Sequence, residues 1–280
     1  MSQEPAIKKL LLSVDMANCA PKDTPMAPGT KFSKRDCPGS QQAAVMTAEQ
    51  RWYRSVLATF IWFTNWTRPD ISYTVSKLCR FMHNPGTTHI TGLKRLLRYA
   101  RATADHGLKY DFSPAAQATL KPNIYGYYDA SHADCPDTMR STMAYVFFFA
   151  GCPISWQSKL HTFVSTSTNH SEYCAASKAA REAKWLETMC QQIGFGQFVS
   201  PVNLYSDSQG AIAMAYNPVQ RSTTKHVDLA DHYVREQQER GTVVISYVTT
   251  KDMIADALTK ALPSEGFNRH TSKLISQVAL

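Results

Sequence analysis

The sequence contains no apolar run near the roughly 20 residues that a membrane-spanning helix requires. Its richest stretch, Val146-Phe147-Phe148-Phe149-Ala150, has the length of a strand. No Cys-x-x-Cys pair occurs among the seven cysteines (Cys19, Cys37, Cys79, Cys135, Cys152, Cys174, Cys190), whose odd number and wide spacing argue against a disulfide framework or a zinc ribbon. The N-terminus lacks a basic signal region: Glu4 stands where positive charge belongs, and Leu10-Leu11-Leu12 is too short for a hydrophobic segment. These absences exclude a helical membrane protein and a secreted scaffold, and place the expected location inside the cell, in the cytoplasm or the nucleus. What is present supports a core: 44% of the 280 residues are hydrophobic and 19% are charged, and the length fits two domains.

Charge divides the chain. Residues 1 to 113 hold 16 Lys+Arg against 8 Asp+Glu, a net +8, whereas residues 114 to 280 hold 14 of each. A basic segment facing a polyanion, joined to a neutral domain, and a merely solvated basic surface both fit this asymmetry. The run Ser113-Pro114-Ala115-Ala116 marks the expected boundary.

Residues 1–48 are rich in Pro, Lys, Gly and Ser and are expected to be extended and loosely ordered, with one short element over Lys8–Met16. Residues 49–113 are expected to be helical. The first helix opens on a Thr47/Gln50 capping box and carries Trp52, Val56, Phe60 and Phe63 at helical spacing. Arg68-Pro69-Asp70 interrupts the pattern, Ile71–Phe81 resumes it, and Asn84-Pro85-Gly86 turns the chain. The third helix, His89–Thr103, places Leu93, Leu96, Leu97 and Ala100 on one side and Lys94, Arg95, Arg98 and Arg101 on its flank. No acid lies between Ile90 and Ala104 to pair with those four cations, so they are read as facing a nucleic-acid backbone.

The second half predicts the order βββαβααβα. Its elements are strands over Ile124–Tyr128 and Met143–Ala150, with Ile154–Ser158 and Thr162–Ser165 together as the third member of an antiparallel set, then a long helix from Ser167-Thr168-Asn169 to Gly194. A strand over Val202–Ser206, a helix over Ser208–Tyr216, a helix over Lys225–Arg240, a strand over Thr242–Val248 and a final helix over Asp252–Lys260 follow. In such mixed sheets ligands lie outside the carboxyl ends of the parallel strands. Asp129 and Asp207 end two strands, Glu172 falls early in the long helix and Asp256 lies in the last one. An all-oxygen set of this kind selects hard divalent cations such as Mg²⁺. Two carboxylates about 5 Å apart repel by roughly 3 kcal/mol at an effective dielectric near 20, so four in one pocket require cations. Two ions there would suit phosphodiester hydrolysis. Taken singly, each acid has an ordinary alternative: Asp129 and Asp207 as caps, Glu172 at a helix N-terminus, Asp256 as a solvated acid. Composition and spacing do not decide between these readings.

The text around the acids does. Residues 124–265 resemble the ribonuclease H domain of copia-type LTR retrotransposon polyproteins. The resembling segments are Asp129-Ala-Ser-His-Ala-Asp134, Arg140-Ser-Thr-Met-Ala-Tyr-Val-Phe147, Pro153-Ile-Ser-Trp-Gln-Ser-Lys159, Ser165-Thr-Ser-Thr-Asn-His-Ser-Glu172, Tyr205-Ser-Asp207-Ser-Gln-Gly-Ala-Ile-Ala213, Thr224-Lys-His-Val-Asp228 and Ala255-Asp256-Ala-Leu-Thr-Lys260. Residues 7–113 resemble the thumb and connection region of the same polyproteins through Thr24-Pro-Met-Ala-Pro-Gly29, Thr67-Arg-Pro-Asp-Ile71, Arg80-Phe-Met-His-Asn-Pro85 and Leu96-Leu-Arg-Tyr99.

The resemblance implies an α/β, ribonuclease H-like mixed five-stranded sheet flanked by helices over residues 114–265, preceded by the helical segment and followed by a tail over 266–280. It implies Mg²⁺-dependent hydrolysis of the RNA strand of RNA/DNA hybrids, with Asp129, Glu172, Asp207 and Asp256 holding two Mg²⁺ ions, Mn²⁺ being the alternative ion. Lys94, Arg95, Arg98, Arg101, Arg140, Lys159, Lys225 and His226 are the expected nucleic-acid contacts. The palm and fingers of a reverse transcriptase, or a second copy, are the expected protein partners, and a virus-like particle the expected cytoplasmic setting. The sequence departs from the family in having no Asp-Asp pair, so no polymerase site is expected; in Ile90, where the family has Trp after the helix-opening His; and in His132, within a segment the family writes Asp-Ala-Asp-Trp. The alternative function is a catalytically silent nucleic-acid-binding or structural remnant. Lys225, His226, Asp228 and His232 match no zinc spacing, Trp156 is expected in the core more than against a base, and the serines of 165–171 are read as helix caps.

Overall fold

A computed structural model describes residues 1–39, 47–111, 113, 123–196, 199, 201–216 and 233–278. The chain divides into two compact units. One comprises residues 1–109, 135–139 and 260–280, and the other residues 110–134 and 140–259.

The first unit is helical: α1 (Glu4–Ser13), α2 (Ala48–Trp66), α3 (Ser72–Cys79) and α4 (Thr87–Ala102). The Thr47 hydroxyl accepts from the Gln50 amide at 3.1 Å while the Gln50 side chain accepts from the Thr47 amide at 3.0 Å, the expected capping box. Tyr53, Leu57, Phe60 and Phe63 of α2 are buried with Leu78 of α3 and Leu93, Leu96 and Leu97 of α4. The first helix begins four residues before the expected element, opened by Pro at its first turn, and buries Ile7 and Leu11. Residues 1–48 are therefore not a separate loose segment: their described part belongs to this unit, Met26 and Phe32 included in its core.

Between α2 and α3, Arg68 and Asp70 form a buried pair with both side chains at 0% exposure. The guanidinium donates to both Asp70 oxygens, from Nε at 3.0 Å and Nη2 at 2.8 Å, and to the Thr103 carbonyl and hydroxyl at 3.1 and 2.7 Å. The Tyr99 hydroxyl donates to Asp70 Oδ2 at 2.8 Å. Pro69 blocks helix continuation, and the pair ties the resulting corner to the end of α4.

The expected tail is structured. A helix over Ser264–Leu274 buries Phe267, His270, Thr271 and Leu274, and strand Ser276–Gln277 pairs antiparallel with β1 (His106–Gly107). The helix buries its apolar positions in the helical unit, to which residues 260–280 belong.

The second unit is built on β2 (Tyr125–Ser131), β3 (Thr142–Phe149), β4 (Cys152–Leu160), β5 (Val202–Ser206) and β6 (Val243–Tyr247), in the order β4-β3-β2-β5-β6. The first three strands are antiparallel, and β2–β5 and β5–β6 are parallel. Ala150 and Gly151, at φ of +50° and +73°, form the tight turn between β3 and β4. Helix α5 (Thr168–Gln192), capped by the Ser167 hydroxyl, packs its face of Tyr173, Ala176, Ala180 and Ala183 on β2 and β3. Helix α6 (Gln209–Tyr216) follows β5, and residues 233–239 are helical before β6. This is the expected α/β, ribonuclease H-like sheet with flanking helices.

Two elements differ. Thr162–Ser165 is not a strand: β4 already runs to Leu160, opposite Thr142 at the start of β3, so the next residues have no strand left to pair with. The expected final α-helix is two 3₁₀ turns, Thr250–Asp252 and Ile254–Leu258, broken at Met253 with ψ of 88°.

The buried pair in the helical unit generates a test. Asp70→Ala leaves the Arg68 guanidinium enclosed without its carboxylate and is expected to lower the unfolding free energy by about 3–5 kcal/mol. The shift in urea midpoint measures it.

Candidate active site

The register of the sheet brings two of the expected acids together. In the parallel β2–β5 ladder, Tyr127 pairs with Tyr205, so Asp129 and Asp207 lie two residues further along adjacent strands at matching positions. Asp129 is within β2 and 1% exposed; Asp207 follows the last residue of β5 and is partly exposed. The Thr250 hydroxyl, from the 3₁₀ turn beyond β6, donates to Asp207 Oδ2 at 2.7 Å.

Glu172 lies early in α5 at 5% exposure. Its charge acts on the Tyr128 hydroxyl: burial, first, and Glu172, after it, push that phenol's pKa well up. One residue before it, Ser171 Oγ lies 3.4 Å from Nδ1 of His132, which follows β2. Asp256 sits in the 3₁₀ turn Ile254–Leu258 at 4% exposure, on an element packed against β2 and β3. Thr259 completes the link: its hydroxyl donates to Asp129 Oδ2 and lies 3.3 Å from the Asp256 carbonyl. The elements bearing all four acids thus gather at the carboxyl end of β2.

The donor chemistry, oxygen only and mostly shielded from water, fits a hard divalent cation. Among the described residues, no three His, Cys, Asp or Glu side chains stand at ligating spacing, and the Thr259 hydroxyl lies against Asp129. Thr259 and Thr250 were missed by the sequence reading. Their signal was present: Thr259 lies three residues after Asp256, the spacing that one 3₁₀ turn stacks, and Thr250 is polar just beyond a strand.

The expected nucleic-acid contacts divide. On α4, Arg95 donates from Nε and Nη2 to the Thr24 carbonyl and hydroxyl at 3.1 and 2.7 Å, and Arg98 from Nε to the Ala20 carbonyl at 2.6 Å. Arg101 donates to the Ala17 carbonyl at 2.8 Å and to the Cys19 carbonyl. Three of the four cations on this helix flank thus also hold the segment 17–24, whose carbonyls lack helix or strand partners. Lys94 is exposed. In the α/β unit Lys159 is exposed on β4 and Arg140 is partly exposed before β3. Both belong to a basic surface: Lys159 and Arg181, after burial, depress the Lys178 pKa, and Arg140 acts in the same direction on His161. Lys225 and His226 lie outside the described residues. Trp156 is partly exposed on β4.

Two buried histidines flank this end of the unit. Burial, with Lys178, His170 and Arg140, holds the His161 pKa below the ordinary imidazole value, and burial with His132 does the same to His170.

No protein-family model matches the chain. Over 267 residues it is 35% identical to the retrovirus-related Pol polyprotein from transposon TNT 1-94 of Nicotiana tabacum, covering 95% of this chain and 19% of that protein. Over 274 residues it is 33% identical to the retrovirus-related Pol polyprotein from transposon RE1 of Arabidopsis thaliana, covering 98% of this chain and 18% of that protein. The chain therefore spans under a fifth of the length of these relatives. Among solved structures, the ribonuclease H1 LC11-RNase H1, isolated from compost, is similar at a TM-score of 0.38 and 16% identity, covering 54% of this chain and 99% of that one.

Two outcomes test the site. Thr259→Val, which keeps the buried volume and removes the hydroxyl from Asp129, is expected to weaken Mg²⁺ affinity by about 10- to 100-fold in titration calorimetry while the melting curve stays cooperative. For His161 and His170 the unfolded chain binds protons at higher pH than the folded one. Their contribution is complete above about pH 6.5 and is lost as pH falls below it. The urea midpoint should drop between pH 7.5 and pH 5, and His161→Gln with His170→Gln should flatten that slope; an unchanged slope contradicts the assignment.

Proposed function

Because the chain belongs to the family of retrovirus-related Pol polyproteins of transposons, we propose that its α/β unit is a ribonuclease H that hydrolyses the RNA strand of RNA/DNA hybrids with Mg²⁺. One observation carries the proposal: Asp129 on β2 and Asp207, just past the end of parallel β5, each lie two residues beyond the paired Tyr127 and Tyr205, with Glu172 and Asp256 on the elements packed beside β2.

In this reading Asp129, Glu172, Asp207 and Asp256 hold two Mg²⁺ ions, with Mn²⁺ as a substitute. When bound, the ions supply positive charge against the phosphodiester and lower the pKa of the attacking water. The chain's own residues orient the acids and exclude water. Thr259 fixes the Asp129 carboxylate from within the core, and Thr250 fixes Asp207 at the rim. Near neutral His161 and His170, burial resists protonation as pH falls, so the basic surface around the site rests on Lys159, Lys178, Arg140 and Arg181. Such a surface binds a hybrid through its backbone and 2′-hydroxyls, by shape more than by sequence. Lys94 of α4 would add a further backbone contact, and the palm and fingers of a reverse transcriptase, or a second copy, remain the proposed protein partners.

A second reading, a silent hybrid-binding remnant, is favoured by one observation: no three of the acids stand at ligating spacing among the described residues. Cleavage of a labelled RNA/DNA hybrid separates the two. The nuclease reading expects Mg²⁺-dependent cutting of the RNA strand that Asp207→Asn and Glu172→Gln each reduce roughly a hundredfold or more. Salt-sensitive binding without cutting, or equal cutting by the variants, supports the silent reading.

A further inference from the structure

The helical unit carries a cavity of which the nuclease reading uses only Lys94. It measures about 600 Å³, within the range of small-molecule sites, and lies between α4 and the irregular segment 22–32. Its charged lining has one sign: Lys22, Lys94, Arg95 and Arg98, with no acid among the lining residues. Its floor is apolar. Met26 and Phe32, at 4% and 5% exposure, line it where Gly92 lets the Phe32 ring approach α4; a Cβ at position 92 would stand 2.5 Å from that ring.

The cations are positioned in advance. Arg95 and Arg98 are fixed by the Thr24 and Ala20 carbonyls, so two guanidiniums already face the cavity at defined places. A guanidinium has five N–H donors, and among the described residues Nη1 of Arg95 and both Nη atoms of Arg98 make no hydrogen bond within the chain. Holding these groups together is unfavourable by itself: burial and Arg98 depress the Arg95 pKa, and Asp23 outside the lining offsets only part of it. An anion in the cavity removes that penalty. A cationic rim over an apolar floor, at this volume, suits a ligand with a phosphate at one end and a flat, weakly polar body at the other.

We propose that this cavity binds a phosphorylated nucleoside, its phosphates against Lys22, Lys94, Arg95 and Arg98 and its base over Met26 and Phe32. The proposal uses no residue of the α/β unit and shares only Lys94 with the nuclease reading. The source is either a free nucleotide or the terminal nucleotide of a strand.

The test is calorimetric titration of the full chain, at low salt, with ADP, inorganic phosphate, adenosine and a 5′-phosphorylated adenine dinucleotide. Saturable one-to-one binding of ADP is expected, tighter than phosphate or adenosine. Lys22→Glu with Lys94→Glu, two side chains that hold no backbone carbonyl among the described residues, should weaken it by about tenfold or more with an unchanged melting curve. Tighter binding of the dinucleotide assigns the site to a strand end, and tighter binding of ADP to a free nucleotide; both support the proposal. Phosphate binding as tightly as ADP shows that the floor is unused, and adenosine binding as tightly shows that the cations are unused; either overturns it. So does an absence of ADP binding at millimolar concentration, or equal binding by the folded double variant.

Discussion

A carboxylate withdrawn from water must be met by hydrogen bonds, by cations or by a proton, and Asp129, Glu172 and Asp256 all face that demand within a few residues of the end of β2. The sheet order creates the situation. With β2 flanked by antiparallel β3 and parallel β5, the strand that carries Asp129 is shielded on both edges, and α5 and the Ile254–Leu258 turn cover it. The Thr259 hydroxyl answers part of the demand by reaching Asp129 from the same turn that carries Asp256. An arrangement that concentrates negative charge at low exposure stabilises a bound divalent cation in proportion to what it costs the fold alone.

The helical unit solves the opposite problem. Its buried charge is a guanidinium, and Arg68 is met by four acceptors: two oxygens of Asp70 and the carbonyl and hydroxyl of Thr103, with Tyr99 steadying the carboxylate. The same side-chain type then serves a second purpose along α4. Arg95, Arg98 and Arg101 bind backbone carbonyls of residues 17–24, which substitutes side-chain donors for the ladder that this irregular stretch cannot form. No helix or strand pattern announces such a stretch, yet it is held at three successive points.

That contrast explains what the sequence disclosed. Periodicity found α2 through α4 and the long helix, because each buries one face at a regular spacing, whereas β3 stood out as an apolar run buried along nearly its whole length. The four acids stood out because two end strands and two sit in helical context, and the motifs around them narrowed the reading further. The carbonyl contacts of the basic flank of α4 were not legible for a definite reason. Absence of acids within one helix says nothing about acceptors supplied by carbonyls some 70 or 80 residues away. The last helix was overlooked likewise, since residues 264–274 bury Phe267 and Leu274 in a unit whose other segments, residues 1–109 and 135–139, lie more than 120 residues earlier in the chain. Nothing local signals that return. Thr259 was legible only as a residue near Asp256; its role depends on β2, 130 residues away.

The proposed function makes the carboxyl end of β2 a divalent-cation site, and Mn²⁺ titration followed by NMR tests it most directly. Paramagnetic broadening should appear first, and saturably, at the amides around Asp129, Glu172, Asp207 and Asp256, and Mg²⁺ should reverse it. Broadening centred elsewhere in the chain, or none that saturates, would contradict the account.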